Sequence, residues 1–135
     1  MKTVADIMNR ELLYLAEGTR AELARKPILD FGITAVPVLD EDGRPVGIVS
    51  LRDLAAGEGR VEPKTPVLSV TSTTAIQAAA RTLAETDYHH LVVVDEKTGR
   101  AVGVVSAVDL LRALLQISPR HPAAFPAFRA AALGA

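Results

Sequence analysis

Two short motifs in this 135-residue chain have residue types and spacing suited to ligand binding, namely Ser50-x-x-Asp53 and Ser106-x-x-Asp109. Such a pair is typical of a helix N-terminus, where the hydroxyl accepts a hydrogen bond from the amide three residues later and the acid lies near the positive end of the helix dipole. A carboxylate there can also accept hydrogen bonds from the vicinal hydroxyls of a ribose, and free amides can hold a phosphate. A helix cap and a ligand site are therefore compatible interpretations.

Basic side chains near these motifs are candidates for contact with a phosphate. Arg52 lies beside Asp53 at a predicted helix start, where its charge opposes the helix dipole, and this misfit favours it over the other arginines. His89 and His90 are adjacent on a predicted strand, so their side chains point to opposite faces and cannot bind one metal ion together. We expect one buried and one exposed histidine. The alternative is that one of them contacts a phosphate, with binding that weakens as the pH rises through about 6.5.

Composition excludes several classes of protein. The 15 basic and 16 acidic residues give a net charge of −1, whereas binding nucleic acid through bulk electrostatics needs a basic excess. The absence of cysteine excludes disulfides, cysteine zinc sites and thiol nucleophiles. No apolar run approaches the roughly 18 residues of a membrane span, and no signal peptide is evident, so we expect a cytoplasmic protein without a membrane partner. GxSxG, GxxxxGK[ST], HExxH and GxGxxG signatures are absent, and we predict that the chain is not an enzyme.

The chain contains an internal repeat. The segments GRPVGIVSLRDL (43–54) and GRAVGVVSAVDL (99–110) are identical at eight of twelve positions, at an offset of 56 residues. Upstream, residues 38–41 align with residues 93–96 at an offset of 55. The one-residue shift falls at the tip of a predicted hairpin, where an insertion is tolerated. The chain therefore carries two copies of one structural unit.

Each copy is predicted to form strand, helix, strand, strand, helix. Apolar and β-branched runs predict the strands, which are 12–15, 35–39 and 46–50 in the first copy and 67–70, 90–95 and 101–106 in the second. Capping boxes Thr19/Glu22 and Thr74/Gln77 predict the starts of the first helices, which run to about residues 31 and 87. The second helices follow Ser50 and Ser106, and the later one runs to about residue 117.

The two copies together predict a mixed α/β (α+β) protein of two pseudo-symmetric repeats packed through their sheets, because one copy alone buries too little surface. We place repeat 1 at residues 1–57, a linker at 58–66, repeat 2 at 67–117 and a tail at 118–135. The tail either docks through Phe125, Phe128 and Leu133 or remains a mobile terminus.

Three residues within the predicted strands carry further expectations. Pro37 lacks an N–H group and fits an edge strand better than a central one. Gly47 and Gly103 have no side chain and mark positions where the two sheets, or a ligand, approach closely. We interpret both glycines as mainly structural.

The repeated pattern, hydrophobic-Val-Val-Asp…Gly-x-x-Val-Gly-[Ile/Val]-Val-Ser-x-x-Asp-Leu, resembles the cystathionine-β-synthase (CBS) domain, present as a tandem pair. The resemblance covers roughly residues 4–115. The stretch YHHLVVVDE (88–96) is similar to a repeat of the nucleotide-sensing subunit of AMP-activated protein kinase. CBS pairs typically bind adenosine nucleotides in clefts between repeats, often dimerise and act as regulatory modules.

This resemblance implies roles for the residues introduced above. In the family the Ser/Thr-x-x-Asp element contacts the ribose. In the resembled kinase subunit, basic residues at the positions that match the two histidines touch phosphates. Residues 34 and 35 of the first repeat are Thr and Ala at these positions, so we expect unequal clefts. Ile33 and Tyr88 precede the matching strands and form either core or an apolar wall for a purine. The predicted ligand-binding set is Ser50, Arg52, Asp53, Ile33, Tyr88, His89, His90, Ser106 and Asp109.

We therefore predict a regulatory module that binds AMP, ADP, ATP or a related adenosyl ligand, needs no other cofactor, forms a homodimer and acts on an unidentified partner in trans. A first alternative is a ligand-independent dimerisation module. Its contact is an exposed helix face of Leu110, Leu111, Leu114 and Leu115. A second alternative is a small enzyme that uses Asp109 with His89 or His90.

Overall fold

The computed structural model describes residues 2–120 and 129–134, and these residues divide into two compact units. The first-repeat unit comprises the described residues of Leu13–Val67 and Ala130–Ala135. The second-repeat unit comprises those of Met1–Leu12 and Leu68–Arg129. Each unit is thus built from two stretches that are far apart in the sequence.

The first repeat forms β1 (Glu11–Ala16), α1 (Ala21–Asp30), β2 (Ala35–Leu39), β3 (Pro45–Ser50) and α2 (Leu51–Ala56). The second forms β4 (Ser69–Thr71), α3 (Ile76–Ala84), β5 (His90–Val94), β6 (Ala101–Ser106) and α4 (Ala107–Leu114). A short 3₁₀ helix, Val4–Asp6, precedes them, and β7 (Arg129–Ala132) follows. Within the described residues, no helix is long and apolar enough to cross a membrane.

The same strand–helix–strand–strand–helix order occurs in both repeats, which confirms the predicted fold class. In the sheet with strand order β3-β2-β1-β7, β2 is parallel to β1 and antiparallel to β3. The other sheet has the order β4-β5-β6, with β5 parallel to β4 and antiparallel to β6. In each repeat the antiparallel pair is a hairpin, so the strand that precedes α2 or α4 lies beside the strand before it.

Pro37 is not at a sheet edge, contrary to the sequence-based expectation. It is buried in β2, between β3 and β1. The residue pairs of β2 with β1 involve Val38 and Leu39, so Pro37 precedes the part of β2 that faces β1 in register. A second proline, Pro27, lies inside α1, and the helix continues through it to Asp30.

The two capping boxes predicted for the first helices are wrong. Helix α1 begins after Arg20 and α3 after Ala75, and neither residue caps its helix with a side chain. The Thr19 hydroxyl donates instead to the carbonyl of Ala16 at 2.6 Å. The Glu22 carboxylate accepts from the backbone N–H of Gly59 at 2.5 Å, so a contact 37 residues away replaces the local one.

Each unit has its own apolar core. The core of the first-repeat unit includes Leu15, Ala21, Ala24, Ile28, Val36, Val38, Val49, Leu54 and Leu133. The core of the second-repeat unit includes Val4, Ile7, Met8, Ile76, Ala79, Leu83, Leu91, Val93, Val105 and Leu110. Of the residues expected to dock the tail, Leu133 packs into a core and its N–H donates to the Tyr14 carbonyl at 2.7 Å. Phe125 and Phe128 lie outside the described residues.

A short segment precedes β1 and another precedes β4. The first pairs with the β5–β6 hairpin of the second-repeat unit, and the second pairs with the β2–β3 hairpin of the first-repeat unit. Asn9 exchanges backbone hydrogen bonds with Val104 of β6 at 2.9 and 3.2 Å. Lys64, which is 55 residues later, exchanges them with Ile48 of β3 at 2.8 and 3.3 Å. We call residues 2–9 and 61–66 the lead segments.

The lead segments explain the glycines in the strands. A Cβ atom on Gly103 would lie 2.9 Å from the Asn9 carbonyl oxygen, and one on Gly47 would lie 2.9 Å from that of Lys64. Real Cβ atoms essentially never approach so closely, so only glycine fits at either position without a shift. Each glycine is therefore approached by a lead segment, whereas the sequence indicated an approach by the other sheet or by a ligand.

Candidate functional site

The motif Ser106-x-x-Asp109 forms the N-terminal cap of α4. The Ser106 hydroxyl accepts from the Asp109 N–H at 3.1 Å, and Asp109 Oδ2 accepts from the Ser106 N–H at 2.9 Å. These reciprocal bonds satisfy amides that have no partner within the helix. They also fix the carboxylate at the positive end of the helix dipole, where a negative charge is stabilised. The side chain is buried, with 5% of Asp109 exposed.

A residue that the sequence analysis missed, Arg120, contacts the second oxygen of this carboxylate, Oδ1. Its Nε and Nη2 atoms both lie 2.9 Å from Asp109 Oδ1, and Nη2 also donates to the Ser106 hydroxyl at 2.9 Å. The Arg120 side chain is 46% exposed, whereas the Asp109 side chain is 4% exposed. No local sequence pattern signals a contact between a helix N-terminus and an arginine eleven residues later.

His90 is the fourth member of this cluster, which we call the second-repeat entrance (His90, Ser106, Asp109 and Arg120). Residue 90 pairs with Ser106 in the register between β5 and β6. Burial holds the pKa of the His90 imidazole below its ordinary value, and the charges of His89 and Arg120 act in the same direction. The Asp109 carboxylate acts in the opposite direction. The cluster thus combines one acid, one cation and an imidazole that resists protonation.

We expect the protein to lose stability as the pH falls through the range in which His90 gains its proton. Because the pKa of His90 is lower in the folded state, the unfolded chain binds the proton first, and the free energy of unfolding decreases as the pH falls below about 6.5. Urea denaturation at several pH values from neutral downward measures this decrease. The decrease in the free energy of unfolding should be smaller in His90→Gln than in the wild type. The control variant His89→Gln should keep most of this decrease. An equal decrease in His90→Gln would contradict the assignment.

The equivalent motif of the first repeat, Ser50-x-x-Asp53, caps α2 in the same way. The Ser50 hydroxyl accepts from the Asp53 N–H at 3.1 Å, and Asp53 Oδ2 accepts from the Ser50 N–H at 3.0 Å. Residue 35, an alanine, pairs with Ser50 at the position that His90 has in the second repeat. Asp53 is exposed, in contrast to Asp109. The two helix N-termini therefore have the same backbone arrangement but different side-chain surroundings.

An open cavity of about 590 Å³ adjoins this motif in the first-repeat unit. We call it, with Ser50, the first-repeat entrance. Its wall includes Asp53 and Arg52 and also residues of the predicted linker that were not expected to take part. The lining residues are Ala21, Val49, Arg52, Asp53, Leu54, Gly57, Glu58, Arg60, Val61 and Glu62. Its charged groups are of both signs, so it suits a ligand with both hydroxyl donors and an anionic group.

Arg25 of α1 holds the far end of the helix that borders this cavity. Its Nε atom donates to the Leu54 carbonyl at 3.0 Å and its Nη2 atom to the Gly57 carbonyl at 2.6 Å. These carbonyls lie at the C-terminal end of α2, where acceptors lack partners within the helix. Arg25 thus positions α2, and with it Asp53, relative to α1.

The remaining predicted ligand-binding residues are less closely associated with the two motifs. Tyr88 is half-buried and packs against the core of the second-repeat unit, and Ile33 packs in the same manner in the first-repeat unit. His89 is exposed, and its carbonyl accepts from the Ala107 N–H at 2.9 Å, which fixes the start of α4. Among residues 2–120 and 129–134, no group of three His, Cys, Asp or Glu side chains is arranged to hold a metal ion.

Comparison with known families decides what kind of protein carries these two motifs. The family model of the CBS domain matches residues 4–57 and again residues 59–116. The chain belongs to the CBS domain family. This confirms the tandem pair inferred from the internal repeat, whereas the closer likeness of the second CBS repeat to the kinase subunit stays a prediction.

Solved structures of other CBS pairs share this fold. A crystal structure of CBSX2 in complex with AMP has a TM-score of 0.75 and 30% sequence identity, and the match covers 86% of this chain and 98% of that one. The cytosolic domain of the Mg²⁺ channel MgtE in complex with ATP has a TM-score of 0.68 and 33% identity, and the match covers 79% of this chain and 46% of that one.

The curated relatives of this chain are longer than the part that it matches. The chloroplastic CBS domain-containing protein CBSX1 of Arabidopsis thaliana is 30% identical, over 85% of this chain and 65% of its own length. Across three curated relatives, the chain spans 24%, 65% and 11% of their lengths.

Proposed function

We propose that this CBS pair is a regulatory module that binds AMP, ADP, ATP or a related adenosyl ligand at its two helix entrances. The observation that carries the proposal is the capped carboxylate at the start of α2 and of α4, Asp53 and Asp109. A carboxylate accepts hydrogen bonds from both hydroxyls of a ribose, and its position beside helix amides also suits a nearby phosphate. The likeness to a CBS pair solved with AMP and to another solved with ATP supports the same ligand class.

The individual roles follow from chemistry. Asp53 and Asp109 accept from ribose hydroxyls, with Ser50 and Ser106 holding the carboxylates in place. Arg52 contacts a phosphate at the first-repeat entrance, and His89 or His90 does so at the second. Ile33 and Tyr88 provide apolar surface for the purine, which is flat and needs van der Waals contact.

The module acts by differential affinity and not by catalysis. A nucleotide that binds one arrangement of the chain more tightly than another shifts the population toward that arrangement, and a separate protein that prefers it then responds. We propose that the chain works in the cytoplasm as a homodimer and controls its partner in trans. It needs no further cofactor, and no residue has a catalytic role.

Calorimetric titration with AMP tests the ligand assignment. Asp53→Ala should weaken AMP binding by about tenfold or more, because a hydrogen-bonded charge is worth roughly 1.5–3 kcal/mol. Asp109→Ala tests the second entrance in the same way. Asp42→Ala, an exposed acid of the β2–β3 hairpin, is the matched control and should bind like the wild type. Unchanged affinity in both Asp53→Ala and Asp109→Ala would remove the ribose assignment.

A ligand-independent interaction module is the second candidate, because α4 and the residues after it carry exposed apolar side chains. Val108, Leu111, Leu114 and Leu115 are 50–62% exposed. Leu110, which the sequence assigned to this face, is instead buried at 2% exposure and belongs to the core. A nucleotide that binds only the folded state must raise the melting temperature. The absence of any shift with AMP, ADP, ATP and S-adenosylmethionine would therefore favour this second candidate.

A further inference from the structure

The guanidinium of Arg120 satisfies the Asp109 carboxylate with the kind of contact that a ribose would make. Its Nε–H donates to Oδ1 at 2.9 Å, and the positively charged Nη2 lies 2.9 Å from the same oxygen. A vicinal diol presents two O–H donors to a carboxylate in a comparable fork. The same Arg120 Nη2 atom donates to the Ser106 hydroxyl at 2.9 Å, so both polar groups of the motif are engaged at once.

We propose that Arg120 is an internal competitor that closes the second-repeat entrance, so that a ribose reaches Asp109 only after the arginine has withdrawn. This inference rests on the proposed function, because it concerns the regulation of the same site. It makes the two entrances of the chain unequal. The first is open to ligand, and the second opens only when the Arg120 side chain turns away from Asp109.

The surroundings of Arg120 suit a contact that can both form and break. Arg112 of α4 donates through Nε and Nη2 to the Ser118 carbonyl, at 2.9 and 2.5 Å, and this holds the chain two residues before Arg120 against the helix. The Arg120 side chain is 46% exposed, so it can turn outward without crossing the apolar core. Asp109 keeps its bonds with Ser106 when that happens, so the cap of α4 survives the opening.

The consequence for affinity follows from simple population arithmetic. The apparent dissociation constant equals the intrinsic constant divided by the fraction of molecules in the open state. If the arginine–carboxylate contact closes the entrance in all but about one molecule in ten, the apparent affinity is lowered by about tenfold. Removing the guanidinium restores the intrinsic value.

The test uses the full-length chain with Asp53→Ala as the background, so that only the second entrance keeps its carboxylate. Adenosine is the probe, because it has the ribose hydroxyls but no phosphate that Arg120 could attract. Calorimetric titration should show that Arg120→Gln binds adenosine about tenfold more tightly than the background protein. Arg81→Gln, an exposed arginine of α3 that lies 3.8 Å from Glu85, is the matched control and should leave the affinity unchanged.

Two further measurements make the test independent of a single variant. Arg112→Gln releases the Ser118 carbonyl and should raise adenosine affinity by a smaller factor, since Arg120 itself remains. NMR titration of His90 needs no ligand. Removal of the Arg120 cation should raise the pKa of His90, because that cation helps to hold it down. An unchanged pKa in Arg120→Gln, together with an unchanged adenosine affinity, would overturn the closure.

The outcomes separate this inference from the proposed function. Equal adenosine affinity in Arg120→Gln and its background, with AMP binding intact in the wild type, overturns the closure and leaves the function standing. Weaker binding in Arg120→Gln overturns it as well, because Arg120 would then be a ligand contact. No binding of adenosine or AMP by the wild type or by Arg120→Gln overturns both.

Discussion

Replacing Ile7 by alanine should lower the free energy of unfolding by about 2–5 kcal/mol, the usual cost of truncating a buried aliphatic side chain. Ile7 belongs to the lead segment at the start of the chain, is 2% exposed and packs in the core of the second-repeat unit. Its core neighbours include Leu91 of β5 and Leu110 of α4, which are more than 80 residues away in sequence. The decrease in the free energy of unfolding therefore measures how much the first residues of the chain contribute to the core of the second-repeat unit.

Two variants of the same segment serve as controls for Ile7→Ala. Ile7→Val removes one methyl group and should cost about 0.5–1.5 kcal/mol. Lys2→Ala changes an exposed side chain and should stay within about 0.5 kcal/mol of the wild type. Urea denaturation followed by circular dichroism gives all three values. An Ile7→Ala protein as stable as Lys2→Ala would show that the lead segment does not contribute to the core.

Gly47→Ala should lower the free energy of unfolding by about 1–3 kcal/mol through overpacking. Its new Cβ atom would lie 2.5 Å from Pro63 Cβ and 2.9 Å from the Lys64 carbonyl oxygen. Neither neighbour can turn away, because Pro63 is a ring and Lys64 is hydrogen-bonded through its backbone to Ile48. The strand or the lead segment must shift instead, and the bonds at 2.8 and 3.3 Å between them must lengthen.

Gly57→Ala is the matched control for Gly47→Ala. Its nearest neighbour would be the Asp53 carbonyl at 3.3 Å, and its φ of −110° is accessible to alanine. We expect its free energy of unfolding to stay within about 1 kcal/mol of the wild type. Alanine stabilises the fold by restricting the unfolded chain, and this offsets the small cost of the tight contact with Asp53. Equal costs for the two substitutions, measured by urea denaturation, would contradict a specific close approach at Gly47.

Much of this fold could be predicted from sequence because the decisive interactions are local. Strands β2 and β6 have the predicted limits, since alternating β-branched residues bounded by turns determine them within a few positions. The caps at Ser50 and Ser106 also form as their residue types predict, because hydroxyl and amide are three residues apart.

The same local rule failed where a distant group competed for the side chain. The Thr19/Glu22 box is absent because Glu22 accepts from Gly59, and nothing within residues 19–22 signals that contact. Arg120 was overlooked for the same reason, since its partner Asp109 is specified by the path of the chain after α4 and not by a motif. The cavity walls contributed by Arg60 and Glu62 likewise depend on how residues 57–62 return to the first repeat.

The lead segments have a consequence for the integrity of the chain. Suppose that a protease cleaves one peptide bond near residue 58, between the two family matches. Both resulting fragments contribute to both compact units, because each unit combines a stretch from before this bond with a stretch from after it. The nicked halves would remain associated without a covalent connection. Conversely, a single repeat excised at its own sequence limits would lack the lead segment that pairs with its hairpin.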